Sequence, residues 1–201
     1  AHTMTLAIPS RDEAERILVE SEAANPGPWV AHSRSAARAA EAIAVRVPGM
    51  DAGAAYILGL LHDIGRRFGV SDLRHTIDGY RWFLSLGFTS CARISLTHSF
   101  PLQDARAIGD NWDGSSQDRA FIARYLEKVI YDDYDRLIQL CDALALPDGV
   151  CLIEMRMVDV ALRRGINELT LSKWRATFAI QRDFETRIGQ SIYACLPGVV
   201  E

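Results

Sequence analysis

The first chemistry this sequence offers lies in histidines and aspartates placed where a helical chain should carry only apolar residues. His62 and Asp63 follow Ala52 to Leu61, the most apolar stretch of the chain. Ala55, Leu58 and His62 fall on one helical face. A histidine satisfied by a carbonyl at a helix end is the plain reading of His62. Asp63 argues against it, because negative charge is unfavourable at the C-terminal end of a helix dipole. A bound cation reverses that penalty. Asp142 sits in a second apolar run, Leu137 to Leu146, and is expected to be buried, paired with Arg38 or Arg156 or bound to a metal. Three more histidines lie on inward-facing stripes: His32 with Ala36, Ala39, Ala40 and Ile43; His75 with Gly79 and Trp82; His98 with Cys91 and Ile94. Taken singly, each reads as a satisfied core histidine. Together they place four of the five histidines beside two uncomfortable aspartates. Carboxylates with neutral imidazoles suit Fe, Mn, Zn or Ni. Six ligands exceed what one zinc needs, and they are enough for two metals sharing a bridging carboxylate.

Helical periodicity must position these residues, since alternating strand patterns are nearly absent. The expected helices run from Pro9 to Ala23, from Pro28 to before Pro48-Gly49, and from Ala52 to about Gly65, with Asp51 as N-cap. The next, capped by Ser71 or Asp72, stops at Gly87, and a short one covers Thr89 to His98. Helices resume from Asp118 to Leu146 with a break near Asp132-Asp133, then from Val150 to Arg164 and from Leu171 to Ile188, where Gly189 is the expected stop. Gln103 to Gln117, with Trp112, reads as a surface loop or a cover for the pocket. The final Leu-Pro-Gly-Val-Val-Glu reads as a tail. The sum is an all-α, compact, single-domain helical bundle over residues 1–201. Its metal-site core spans about 28–146, and C-terminal packing helices span about 150–189.

The bulk properties set limits. Apolar residues make up 49% and charged residues 24% of 201 residues, the balance of an ordinary globule. A chain of this size buries roughly two-thirds of its unfolded surface, so any metal is functional rather than structural. The net charge of −4 gives no basic face for double-stranded nucleic acid. No apolar run spans a membrane, and no charged-then-apolar leader opens the sequence, so the expected location is cytoplasmic. Ala1-His2-Thr3 is given no role. Cys91, Cys141, Cys151 and Cys195 form no C-x-x-C pair and read as thiols in a reducing compartment. Only two of the 22 basic residues, Lys128 and Lys173, are lysines.

The ordered set His32, then Leu61-His62-Asp63-Ile64-Gly65-Arg66, then Asp142 resembles the HD-domain superfamily of metal-dependent phosphohydrolases. His75 with Gly79-Tyr80, and His98 in Leu96-Thr97-His98-Ser99-Phe100-Pro101, look like the two extra histidines of its dinuclear members. The resemblance implies that His32, His62, Asp63 and Asp142 hold one divalent metal. It implies that Asp63 bridges to a second, held also by His75 and His98. A metal-bound hydroxide would then attack phosphorus in line on a small phosphorylated substrate, a nucleotide being one such compound. Arg66 stands where the family often has lysine and would meet the phosphate, or else face water as a helix-terminal cation. No paired histidine follows His98 and no Gly-Tyr-Pro segment appears, which disfavours the cyclic-dinucleotide branch.

Two other functions share this ligand set. Some small HD-type proteins are similar in ligands but use two irons and dioxygen on substrates such as phosphonates. A non-catalytic binding module could keep the fold, although the complete ligand set speaks against it. Tyr131 and Tyr134 read as exposed aromatics, candidates for a homo-oligomer interface, and Trp174 and Phe178 read as core packing.

Overall fold

The computed structural model describes residues 5–109, 112–196 and 198–200. Ala1-His2-Thr3, Asp110-Asn111 of the 103–117 loop, and Pro197 and Glu201 of the tail lie outside the described residues. Among the described residues the chain folds as helices α1 (Arg11–Ala24), α2 (Trp29–Ala44), α3 (Ala52–Leu61), α4 (Arg74–Leu86), α5 (Thr89–Thr97), α6 (Ser116–Lys128), α7 (Asp133–Leu144), α8 (Ile153–Arg164) and α9 (Thr170–Ile188). Short 3-10 turns cover Ile64–Phe68, Ala105–Ile108 and Ile192–Ala194. The fold is all-α in its architecture, as expected. No helix among the described residues is long and apolar enough to cross a membrane.

Several boundaries follow from local chemistry. Asp51 caps α3 by accepting from the Ala54 N–H at 2.9 Å, a cap that contributes about 1 kcal/mol. Asp132 and Asp135 form a reciprocal capping box that starts α7 and accounts for the break before it. Gly87 and Gly189 end α4 and α9 in left-handed conformations.

Four expectations are corrected. Neither Ser71 nor Asp72 caps α4; Asp113 does, from the 103–117 loop. Its carboxylate accepts from the Asp72 and Arg74 N–H groups at 2.8 Å each. The helix expected to reach Gly65 stops at Leu61, because the chain tightens into a 3-10 turn that presses Gly65 onto α4. A Cβ on Gly65 would stand 1.8 Å from the His75 carbonyl oxygen. The segment after α7 and the tail are not wholly irregular. Strands β1 (Ala145–Leu146) and β2 (Gly149–Cys151) pair antiparallel around Pro147-Asp148, and β3 (Val199–Val200) joins β2 in parallel. Finally, Tyr131 and Tyr134 are half-buried, and their hydroxyls bond the Phe100 carbonyl at 2.8 Å and the Asp51 N–H at 2.9 Å.

The core has two parts. The larger joins α1, α2, α3 and α7, with α2 packed most extensively on α3. That approach is close because it uses small residues: a Cβ on Gly59 would lie 2.9 Å from the Ala37 Cα. The smaller part gathers Ile77, Leu96, Phe100, Ile108, Ile122 and Leu126 from α4, α5 and α6 and the segments between them. Trp174 and Phe178 pack against the larger part, as expected. All four cysteines are free and buried.

Candidate metal centre

The site lies where these parts meet. His32 comes from α2, His62 and Asp63 follow α3, His75 stands in the first turn of α4, His98 caps the end of α5, and Asp142 lies in the last turns of α7. Gly65 and Gly79 let the His-Asp segment, α4 and α5 approach one another. A Cβ on Gly79 would lie 3.0 Å from Ser95 Oγ and 3.1 Å from the Gly65 nitrogen. The spacing of α5 from α7 is set by Asp135, fully buried and held by Arg93 and by Thr97 Oγ1 at 2.7 Å. Gln139 adds a bond from its Nε2 to the Thr97 carbonyl at 3.1 Å. These contacts fix His98 opposite Asp142.

Each of the four rings is oriented the same way. Nδ1 of His62 lies 2.6 Å from the Gly59 carbonyl oxygen, that of His75 2.5 Å from Asp72, and that of His98 3.1 Å from Ile94. Nδ1 of His32 lies 3.1 Å from the carbonyl of Ala145 in β1. A carbonyl oxygen only accepts, so every Nδ1 donates, and each neutral ring turns an Nε2 lone pair inward. Histidine ligands are commonly fixed in this way, with the second nitrogen anchored to backbone.

The inward atoms crowd together. His32 Nε2 is 2.9 Å from Asp142 Oδ1, and His62 Nε2 is 3.5 Å from the same oxygen and 3.8 Å from Asp63 Oδ2. His75 and His98 present Nε2 atoms 3.1 and 3.4 Å from Asp63 Oδ1 and 3.3 Å from each other. His62 Nε2 is buried and has no hydrogen-bond partner among the described residues. Lone pairs facing lone pairs and carboxylates repel unless positive charge stands among them. The donor set therefore fits cations well. Two triads could hold a metal, His32-His62-Asp63 and Asp63-His75-His98, and they share Asp63.

Proton equilibria reflect the same crowding. Burial pushes His62 down, but Asp63 and Asp142 outweigh it and hold the ring up at about 9. For His75 burial prevails over Asp63, and its pKa is lowered. Burial would raise Asp63, yet Arg66, His62 and His75 keep it well below the usual carboxylate range. Asp142 is likewise held far down, against its own desolvation, by His32 and His62.

The structure thus brings all six expected ligands together and changes two details. Asp142 is not fully buried: its side chain is 31% exposed, and its partners are His32 and His62 rather than Arg38 or Arg156. Arg66 does not face water freely, being engaged through two of its three nitrogens. Its Nε donates to Asp63 Oδ2 at 2.9 Å and its Nη1 to the Ser71 carbonyl at 3.1 Å. Sequence reasoning missed Asn25, whose Nδ2 donates to the Arg66 carbonyl at 2.6 Å and ties the end of α1 to the His-Asp segment. Its place in Asn25-Pro26-Gly27-Pro28 signalled only a turn.

No curated protein and no solved structure matches the chain. The family model of the HD domain matches residues 29–146, more than half of the 201 residues and a span that contains all six clustered histidines and aspartates. The chain belongs to the HD-domain family.

Proposed function

We propose that the protein is a metal-dependent phosphohydrolase acting on a small phosphorylated compound, of nucleotide size or below. The observation that carries this reading is the convergence of four anchored imidazoles on two carboxylates, with Asp63 common to both triads. In it, His32, His62, Asp63 and Asp142 hold one divalent ion, and Asp63, His75 and His98 hold a second. Ions of the Fe, Mn, Zn or Ni type supply Lewis acidity toward a phosphoryl oxygen and a strong nucleophile at neutral pH.

The rest falls to this chain's own groups. Arg66 fixes Asp63 through Oδ2 and leaves Oδ1 to His75 and His98. Asp63 is 6% exposed and Asp142 31%, so substrate reaches the site past Asp142. The buried His75 and His98 keep water from the opposite side. The low pKa values of both carboxylates keep them ionised and able to bind cations throughout the neutral range.

The test is elemental analysis of protein purified without a chelating column, followed by phosphate release from a panel of phosphomonoesters and nucleotides. Two ions per chain with phosphate release lost on chelation is the expected result. Two irons with turnover that requires dioxygen would replace hydrolysis by oxidation, and no metal after reconstitution would leave a binding module.

A further inference from the structure

A cavity of about 380 Å³ opens between the start of α4, the 3-10 turn at Ala105–Ile108, α8 and the start of α9. Leu73, Ile108, Met157 and Val160 form an apolar part of its wall, Trp174 adds an aromatic face, and Asn167 and Thr170 stand on its polar side. None of the six metal-centre side chains lines it. Its volume is at the small end of ligand pockets, enough for one ring and a substituent.

Lys173 also lines this cavity, and its situation there is costly. It is half-buried, and burial alone lowers its pKa. It stands in the first turn of α9, where the helix dipole disfavours a cation. No carboxylate pairs with it among the described residues; its one bond is a long one, 3.4 Å, to the Ala107 carbonyl. A lysine can usually extend its head into water. This one is held at the cavity wall, and among the described residues it has donors to spare. Arg164 lies at the same cavity and bonds Asp72 through Nη1 at 2.7 Å.

We propose that this cavity binds a small organic anion, whose charged group takes the spare donors of Lys173 and whose apolar body lies against Trp174 and Met157. The site is separate from the metal centre and stands whether or not that centre hydrolyses phosphate. The anion offsets both costs of the lysine, its desolvation and its place at the helix start. An apolar body displaces water from walls that gain little from it.

The rarity of lysine makes the test clean, since Lys128 is the only other one in the chain. Pyridoxal 5′-phosphate carries an aldehyde, an aromatic ring and an anion. The metal-loaded full chain would be treated with it at limiting concentration, reduced with borohydride and mapped by peptide mass. Lys173 should be labelled ahead of Lys128 by about tenfold, because the cavity holds the reagent's ring and phosphate beside its amine, part of which burial keeps uncharged. Phenyl phosphate should protect it, and chloride at equal ionic strength should not. Val160→Trp, which fills the cavity and keeps the lysine, should abolish both the preference and the protection. Equal labelling of the two lysines, protection by chloride alone, or an unchanged pattern in Val160→Trp would each overturn the site. The readout sits on Lys173, so phenyl phosphate bound at the metals does not register in it.

Discussion

The two halves of the candidate metal centre are built differently. Asp63, His75 and His98 form a closed half: their side chains are 6%, 3% and 1% exposed, and both imidazoles are anchored to carbonyls three or four residues earlier in the chain. His32 and Asp142, 11% and 31% exposed, form the open half together with the buried His62, and His32 is anchored across the molecule to the carbonyl of Ala145. The closed half is local and rigid, pressed together by Gly65 and Gly79. The open half depends on α2 and α7 reaching one another. A metal in the closed half should exchange slowly, while one in the open half should meet substrate. Asp63 belongs to both.

The comparison can be broken at several points. Asp63→Ala should have the largest effect, removing both ions and reducing phosphate release to background; activity with unchanged metal content would sink the site. His75→Ala should lose one ion and keep the fold. Elemental analysis with circular dichroism reads both, and loss of both ions or of helicity would erase the division into halves. Arg66→Met removes an outer partner of Asp63, so metal affinity or activity should fall by roughly 10–100-fold. A rise in KM at unchanged metal affinity would return Arg66 to direct phosphate contact. The smallest effect concerns the metal-free protein. His62 is held at about 9 when folded, above its ordinary 6.5, so its contribution to stability is complete below pH 6.5 and is lost as pH rises to 9. The urea midpoint of metal-free protein should fall over that window, and that of metal-loaded protein should not, since the ion replaces the proton. A flat midpoint without metal would show that no proton stands in for the ion.

Much of this was legible because helical periodicity is a strong signal where a helix is amphipathic or fully buried. His32, His75 and His98 lie on faces that the spacing of their alanine, glycine and isoleucine neighbours already turned inward. What stayed hidden depended on contacts distant in sequence. Two-residue strands such as Ala145–Leu146 leave no period to read. The cap of α4 comes from Asp113, some 40 residues on. Asp142 looked fully buried from its neighbours, but the last turn of α7 reaches the surface beside the site. Arg66 was placed by the family pattern, and only the fold shows that Asp63 already engages it.

The anchor of His32 also sets a clock. Its ring is fixed by a carbonyl 113 residues later and meets a carboxylate 110 residues later, whereas His62 finds its own anchor three residues back. At about 5–20 residues per second of synthesis, the order of ten seconds separates the first ligand from the group that orients it. Until Ala145 has been made, the nascent chain can offer a metal only the locally anchored imidazoles and Asp63. The closed half is thus available to ions first, and the open half is completed last, by contacts of high sequence separation that form slowly. Metal loading should accordingly be ordered in time, with the deeper position filled before the one that meets substrate.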